Sequence, residues 1–228
     1  MKYDELERRY LKSAIEARGK DGDASVIVGH ASVFDTPYEL WGFMEQVARG
    51  AFKKTIKEGD VRALWNHDPN VVLGRNKSGT LRLSEDDVGL LYEIDLPDTQ
   101  AAGDLYTLIE RGDVNQSSFA FEVIRDEWQY PEENSRELPV RTIKEARLWD
   151  VSPVTYPASG STDVDVARAL RSLTRDLGID EAESIEDALT IARNKTAEAT
   201  TETPDGASPE APAATSPSEQ KRTRPYAL

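Results

Sequence analysis

The sequence predicts an α+β domain of a barrel-like type, and three observations carry that reading. Between residues 20 and about 157, short segments rich in Val, Ile, Leu, Phe and Tyr alternate with Gly, Asp, Asn and Pro, as many short strands require. Only two helical stretches interrupt them, so the regular strand–helix alternation of a doubly wound parallel sheet never develops. The 228 residues, 38% of them hydrophobic, supply one core of ordinary domain size with appendages rather than two large domains.

Taken in order, residues 2–18 are ambiguous: Leu6, Tyr10, Ala14 and Ala17 allow a helix, while YLKSAIEAR could equally supply a first strand. Strands are then expected at 25–34, 61–66, 71–74, 79–84, 89–96, 117–125 and 140–155. The run LRLSEDDVGLLYEI reads as a hairpin turning on Glu85, Asp86, Asp87 and Gly89. Helices are expected near 50–58 and at 99–111, the second with Ala102, Leu105, Leu108 and Ile109 on one face. Beyond residue 160, Val166, Leu170, Leu173 and Leu177 fall at helical spacing, with Asp163 and Asp165 at the helix start and Gly178 placed to end it. A second amphipathic helix would carry Ile185, Ala188, Leu189 and Ala192. From residue 196 large apolar side chains almost vanish and Pro, Ala, Thr, Ser and Glu dominate, so 196–228 is expected to be a disordered tail, closed by the basic residues Lys221, Arg222 and Arg224. The resulting division is 1–160, with its core at about 20–160, then 161–195, then 196–228.

Charge and composition narrow the function classes. With 28 Lys and Arg against 42 Asp and Glu, the net charge is −14, which opposes sequence-independent binding to a phosphate backbone; nucleic acid is not an expected partner. Residues 196–228 contribute little of this acidity, which belongs mainly to the part expected to fold. No window approaches the roughly 20 apolar residues needed to cross a bilayer, and MKYDELERRYLK lacks the apolar stretch of a secretory signal. No membrane partner is therefore expected. The chain has no cysteine and two histidines, so thiolate chemistry is excluded and a histidine-rich zinc site nearly so; no metal or cofactor is expected.

Imidazole base chemistry would have to use His30 or His67. His67 lies in LWNHDPNVVLGR, at the end of an expected strand, where scaffolds often present functional groups. In VNQSSFAFEV, Phe119, Phe121 and Val123 should share one side of a strand and Ser118, Ala120 and Glu122 the other; with the large apolar set inward, Ser118 faces outward and Ser117 inward. Taken alone, this serine reads more readily as a half-buried polar strand position, and His67 as a structural or incidental loop histidine, than as catalytic groups. A serine becomes an effective nucleophile when a neighbouring base takes its proton. Asp150 stands inside the apolar stretch ARLWDVSPVTYPAS, where a carboxylate is costly unless paired; it could orient an imidazole, or be an exposed strand aspartate.

Four blocks in order, GHASVFDTPYELWGFMEQVARGAF, VRALWNHDPNVVLGRNKSGTLRLSEDDVGLLYEIDLP, RGDVNQSSFAFEV and RLWDVSPVTYPAS, resemble the tailed-phage prohead proteases, the HK97-type serine peptidases that mature capsids. The resemblance runs from about residue 25 to about 160. It implies a small β-barrel surrounded by helices, similar to the herpesvirus assembly proteases, and a Ser–His pair carried by Ser118 and His67. Asp150 occupies the place of a third acidic residue that is usually Glu in a Glu-Val-Ser run, one methylene shorter here. Ala120 stands where the family usually has Gly, and His30 where it often has Tyr, which leaves His30 a structural role. Arg147, near Asp150, is a weak candidate for stabilising an oxyanion.

The resemblance further implies a serine endopeptidase that acts inside the procapsid, in the cytoplasm of the bacterial host. Its expected substrates are the scaffolding segment of the major capsid protein, a separate scaffold and its own chain; a homo-oligomer is a further partner considered. Two other classes stand beside it: a non-catalytic scaffold or capsid-interior protein of the same fold, and a hydrolase of small esters or amides.

Overall fold

The computed structural model of the chain describes residues 6–11, 15–19, 25–40, 42–131, 137–156 and 163–179, together with residues 182, 187, 188, 190, 191 and 194. The strands are β1 (Glu7–Leu11), β2 (Glu16–Gly19), β3 (Ser25–Val33), β4 (Tyr38–Leu40), β5 (Phe43–Val47), β6 (Arg62–Trp65), β7 (Asp68–Arg75), β8 (Leu81–Glu85), β9 (Gly89–Asp95), β10 (Gln116–Gln129) and β11 (Val140–Val154). The helices are α1 (Lys53–Glu58), α2 (Gln100–Glu110) and α3 (Asp163–Leu177).

The α+β class expected from the sequence holds, with strands predominating. The strands form a seven-stranded sheet of order β1-β10-β11-β5-β4, from which β6 and β7 branch, and a four-stranded sheet of order β2-β3-β9-β8. The described strands do not close into a barrel, and the length of β11 is the reason. Its first half pairs in parallel with β5, through Val140–Ile143, and its second half in parallel with β6, through Asp150 and Val151. One long strand therefore serves two short neighbours on the same side, and the sheet forks where a barrel would curl shut.

The two sheets share one core. Phe119 and Phe121 of β10 stack at 4.7 Å between ring centroids, and Phe52 meets Phe119 edge-on at 5.7 Å. Ile27, Leu90, Tyr92 and Ile94 of the smaller sheet are buried in the same cluster. Burying a phenylalanine as fully as Phe121 stabilises the fold by about 1.5–3 kcal/mol. Tyr92 reaches across to Ser117, with its hydroxyl 2.7 Å from Oγ, and it fits because residue 29 is glycine: a Cβ there would lie 2.6 Å from the Tyr92 hydroxyl. Burial pushes the Tyr92 phenol well up, only partly offset by the bond to Ser117, so the contact is between neutral groups.

Local chemistry explains the smaller elements. The hairpin β8–β9 turns on Asp86, whose carboxylate accepts the amides of Val88 and Gly89, both at 2.8 Å. His30 Nε2 lies 2.8 Å from the same carboxylate, so His30 pins this turn to β3, in keeping with the structural role expected of it. Thr99 caps α2, accepting the amide of Ala102, and the helix buries Ala102, Leu105 and Ile109. Helix α3 ends at Gly178, where φ is +57°, as the sequence suggests. Leu173 and Ala169 of α3 pack with Leu40, Phe43, Trp128 and Leu170, a second apolar cluster to which Ala188 also belongs.

Several expectations need correcting. Residues within 2–18 supply two strands, β1 and β2, and no helix among those described. Strands β4 and β5 were not foreseen. Strand β7 begins at Asp68 rather than 71 and incorporates Pro69, which is tolerated because β7 pairs only with β6. Strand β10 extends to Gln129, well past 125. Of the second C-terminal helix, Ile185, Leu189 and Ala192 lie outside the described residues, as do the side chains of Val166 and Leu177 and the whole of 196–228. Among the described residues, no helix is long and apolar enough to cross a membrane.

Candidate active site

Three elements of the larger sheet converge on one polar point. Strand β10 lies antiparallel to β11 with Ser118 opposite Ser152 and Ala120 opposite Asp150. Phe119 and Phe121 fill the core between the sheets, so Ser118 projects from the opposite face, beside Asp150 and Ser152 of the neighbouring strand. The alternation expected from the sequence is therefore present, but the outward face is not open to water. Ser118 is only 1% exposed, because β1 and the β6–β7 hairpin cover it.

That hairpin delivers the imidazole. Trp65 pairs with Asp68, leaving a two-residue turn of Asn66 and His67, both left-handed with φ of +56° and +58°. This is the geometry of a type I′ turn, in which asparagine is at home but a histidine in the second place is strained, by of order 1–3 kcal/mol. The turn is tied down to β11 and the residues after it. The Asn66 amide donates to Pro153 O at 3.0 Å, the Asn66 side-chain oxygen accepts the amide of Thr155 at 2.8 Å, and the His67 amide donates to Ser152 Oγ at 3.3 Å.

Held in this way, the imidazole bridges the other two groups. His67 Nδ1 lies 2.6 Å from Asp150 Oδ1, and His67 Nε2 lies 2.6 Å from Ser118 Oγ. An ionised carboxylate only accepts, so Nδ1 carries a proton and Nε2 of the neutral ring is free to accept one. Asp150 is buried, not an exposed strand aspartate, and Ser152 Oγ donates to the same Oδ1 at 2.8 Å. Ser118 has a second acceptor, the carbonyl of Arg9 on β1, at 2.9 Å. Its hydroxyl has one proton, so the two contacts belong to two protonation states. With neutral His67 the proton points to Nε2; with charged His67 it turns to the Arg9 carbonyl and Oγ accepts from the imidazolium.

Ser118, His67 and Asp150, the three residues singled out in the sequence, thus meet in a hydrogen-bonded line. Arg147 is engaged elsewhere, in an exposed cross-strand ion pair with Glu122 at 3.2 Å. Sequence reasoning missed Asn66 and Ser152. The signals were there: a dipeptide headed by Asn between two strands, and a serine two residues beyond Asp150, hence on the same strand face.

A second buried polar cluster adjoins the line and was not foreseen at all. Arg9 of β1 donates to Glu45 of β5 at 2.6 Å and to Glu7 at 2.8 Å. Arg141 of β11 donates to the other Glu45 oxygen at 3.0 Å and to Asp126 of β10 at 2.7 Å, and Tyr38 donates to Glu45 at 2.7 Å. Burial opposes charge on Glu45, but Arg9 and Arg141 outweigh it and hold its carboxyl below the ordinary value. Because Arg9 is clamped by its side chain, its carbonyl is fixed over Ser118.

The family described as caudovirus prohead serine protease matches residues 13–175. No curated protein and no solved structure matches the chain. The match spans more than half of the 228 residues and includes Ser118, His67 and Asp150, and the chain therefore belongs to the caudovirus prohead serine protease family.

Proposed function

We propose that the chain is a capsid-maturation endopeptidase in which Ser118 is the nucleophile, His67 the base and Asp150 the group that orients His67. The observation that supports this reading best is the continuous line Ser118 Oγ–His67 Nε2 and His67 Nδ1–Asp150 Oδ1, with 2.6 Å at each link. In the proposed reaction His67 Nε2 takes the proton of Ser118 as Oγ attacks a peptide carbonyl. The resulting imidazolium, stabilised by Asp150, then protonates the leaving amine, and water activated by the same imidazole releases the acyl group from Ser118. Residues 1–160 would form the protease unit and 161–195 its helical appendage, with 196–228 a tail.

The substrates in this reading are the scaffolding segment of the major capsid protein, a separate scaffold and the enzyme's own chain, cut within the procapsid. Confinement there raises the effective concentration of substrate and makes high intrinsic affinity unnecessary. Co-expression with the major capsid protein encoded alongside tests the reading, by the mass of the capsid subunit. Truncation by the wild type that is lost in both Ser118→Ala and His67→Ala is the expected result. Truncation that persists in Ser118→Ala removes Ser118 as nucleophile, and capsids that mature unaltered with that variant favour a non-catalytic assembly role.

A further inference from the structure

We infer that Ser152 is a positioning residue of this site, joining the acid to the turn that carries the base. The inference rests on the reading of Ser118, His67 and Asp150 given above. Ser152 is fully buried and stands directly across from Ser118 in the β10–β11 register. Lying two residues beyond Asp150 on one strand, it shares that residue's face. Its hydroxyl makes two bonds with different duties: the proton goes to Asp150 Oδ1 at 2.8 Å, and the oxygen accepts the backbone amide of His67 at 3.3 Å.

Each bond answers a physical need. Asp150 Oδ1 also accepts His67 Nδ1–H, so the Ser152 proton fixes the direction of the buried carboxylate. His67 sits at φ +58°, a conformation its side chain disfavours, and an acceptor for its amide helps to hold it there. One hydroxyl thus sets both the rotation of the acid and the backbone of the base. Ser152 is not a second nucleophile, because its proton is committed to a carboxylate and Nε2 of the imidazole is directed at Ser118.

The test uses a fluorogenic peptide spanning the junction that the wild-type enzyme cuts in its capsid subunit, with folding of each variant checked by thermal unfolding. Ser152→Ala should lower kcat roughly 10- to 100-fold, the worth of one hydrogen bond to a charged group, with KM changed less than twofold and the acid limb of the pH–rate profile displaced. Ser152→Thr, which keeps the hydroxyl, should recover most of the loss. In an Asp150→Asn background the same Ser152→Ala change should cost clearly less than in the wild type, because the part of its effect that runs through the carboxylate is gone and only the bond to the His67 amide remains. A kcat for Ser152→Ala within twofold of wild type, or an equal loss in both backgrounds, overturns the inference. Proton NMR separates its failure from failure of the protease reading, since the far-downfield resonance of His67 Nδ1–H needs no turnover. That resonance should move in Ser152→Ala, and an unmoved resonance overturns the role of Ser152 whether or not the enzyme cleaves peptide.

Discussion

Two buried polar clusters lie side by side in the larger sheet, and they are built for different ends. The line of Ser118, His67 and Asp150 contains one carboxyl, one imidazole and one hydroxyl and leaves the imidazole at the rim, its side chain 11% exposed. The cluster of Arg9, Glu7, Glu45, Arg141 and Asp126 gathers formal charges from four strands, with Glu45 fully shielded. A mobile proton needs few competing charges and a path to its substrate, whereas a charge cluster in a core survives only when every member is matched. The first should therefore govern activity and barely touch stability, and the second should do the reverse.

The largest effect that tests this contrast is Ser118→Ala, which should lower peptide cleavage about 10⁴-fold or more while leaving unfolding free energy within about 1 kcal/mol of wild type. Steady-state kinetics and urea unfolding on the same preparation check both halves. Asp150→Ala should follow with a loss of roughly 10²–10⁴, milder because in the proposed reaction it orients His67 and does not itself react. In the other cluster, Arg141→Met leaves Glu45 and Asp126 undercompensated and should destabilise by about 3–5 kcal/mol, read as a lower urea midpoint. If that variant lost activity at a temperature where it remains folded, the separation of the two clusters would be wrong.

Acid titration sharpens the comparison further. The Glu45 carboxyl is held below its ordinary value of 4.5, so its stabilising contribution is complete above that pH and is lost as pH falls through the lower folded value. Glu45→Gln should be less stable at neutral pH and should lose less of its remaining stability below pH 4.5, as unfolding at a series of pH values would show. The smallest effect belongs to the turn. Asn66→Ala removes the side-chain bond to the Thr155 amide and should cost about 1 kcal/mol, with cleavage lowered modestly by a looser His67.

The two clusters also differed in how far the sequence revealed them. Ser118, His67 and Asp150 stand in short blocks whose alternation and surroundings already set them apart, and the structure brings all three together. Strand β5 hid its contribution: in FMEQV, Phe43 and Val47 alternate with a buried Glu45, so a carboxylate occupies a core position and spoils the apolar period. Strand β2 is largely exposed and β4 is three residues long, so neither shows a usable pattern. The partners of Glu45 come from residues 9 and 141, and separations of that size are set by sheet order, which periodicity does not encode. The forked sheet escaped for the same reason, since β11 itself was legible as a long strand but its double pairing was not.

The cover over Ser118 bears on how the protein should be assayed. With Ser118, the proposed nucleophile, 1% exposed and a main-chain carbonyl of β1 against it, an acylating reagent should reach Oγ only when the β6–β7 hairpin or β1 moves away from it. Labelling by a fluorophosphonate would then saturate with reagent concentration at the frequency of that parting, and the plateau would measure a gate rather than a reactivity.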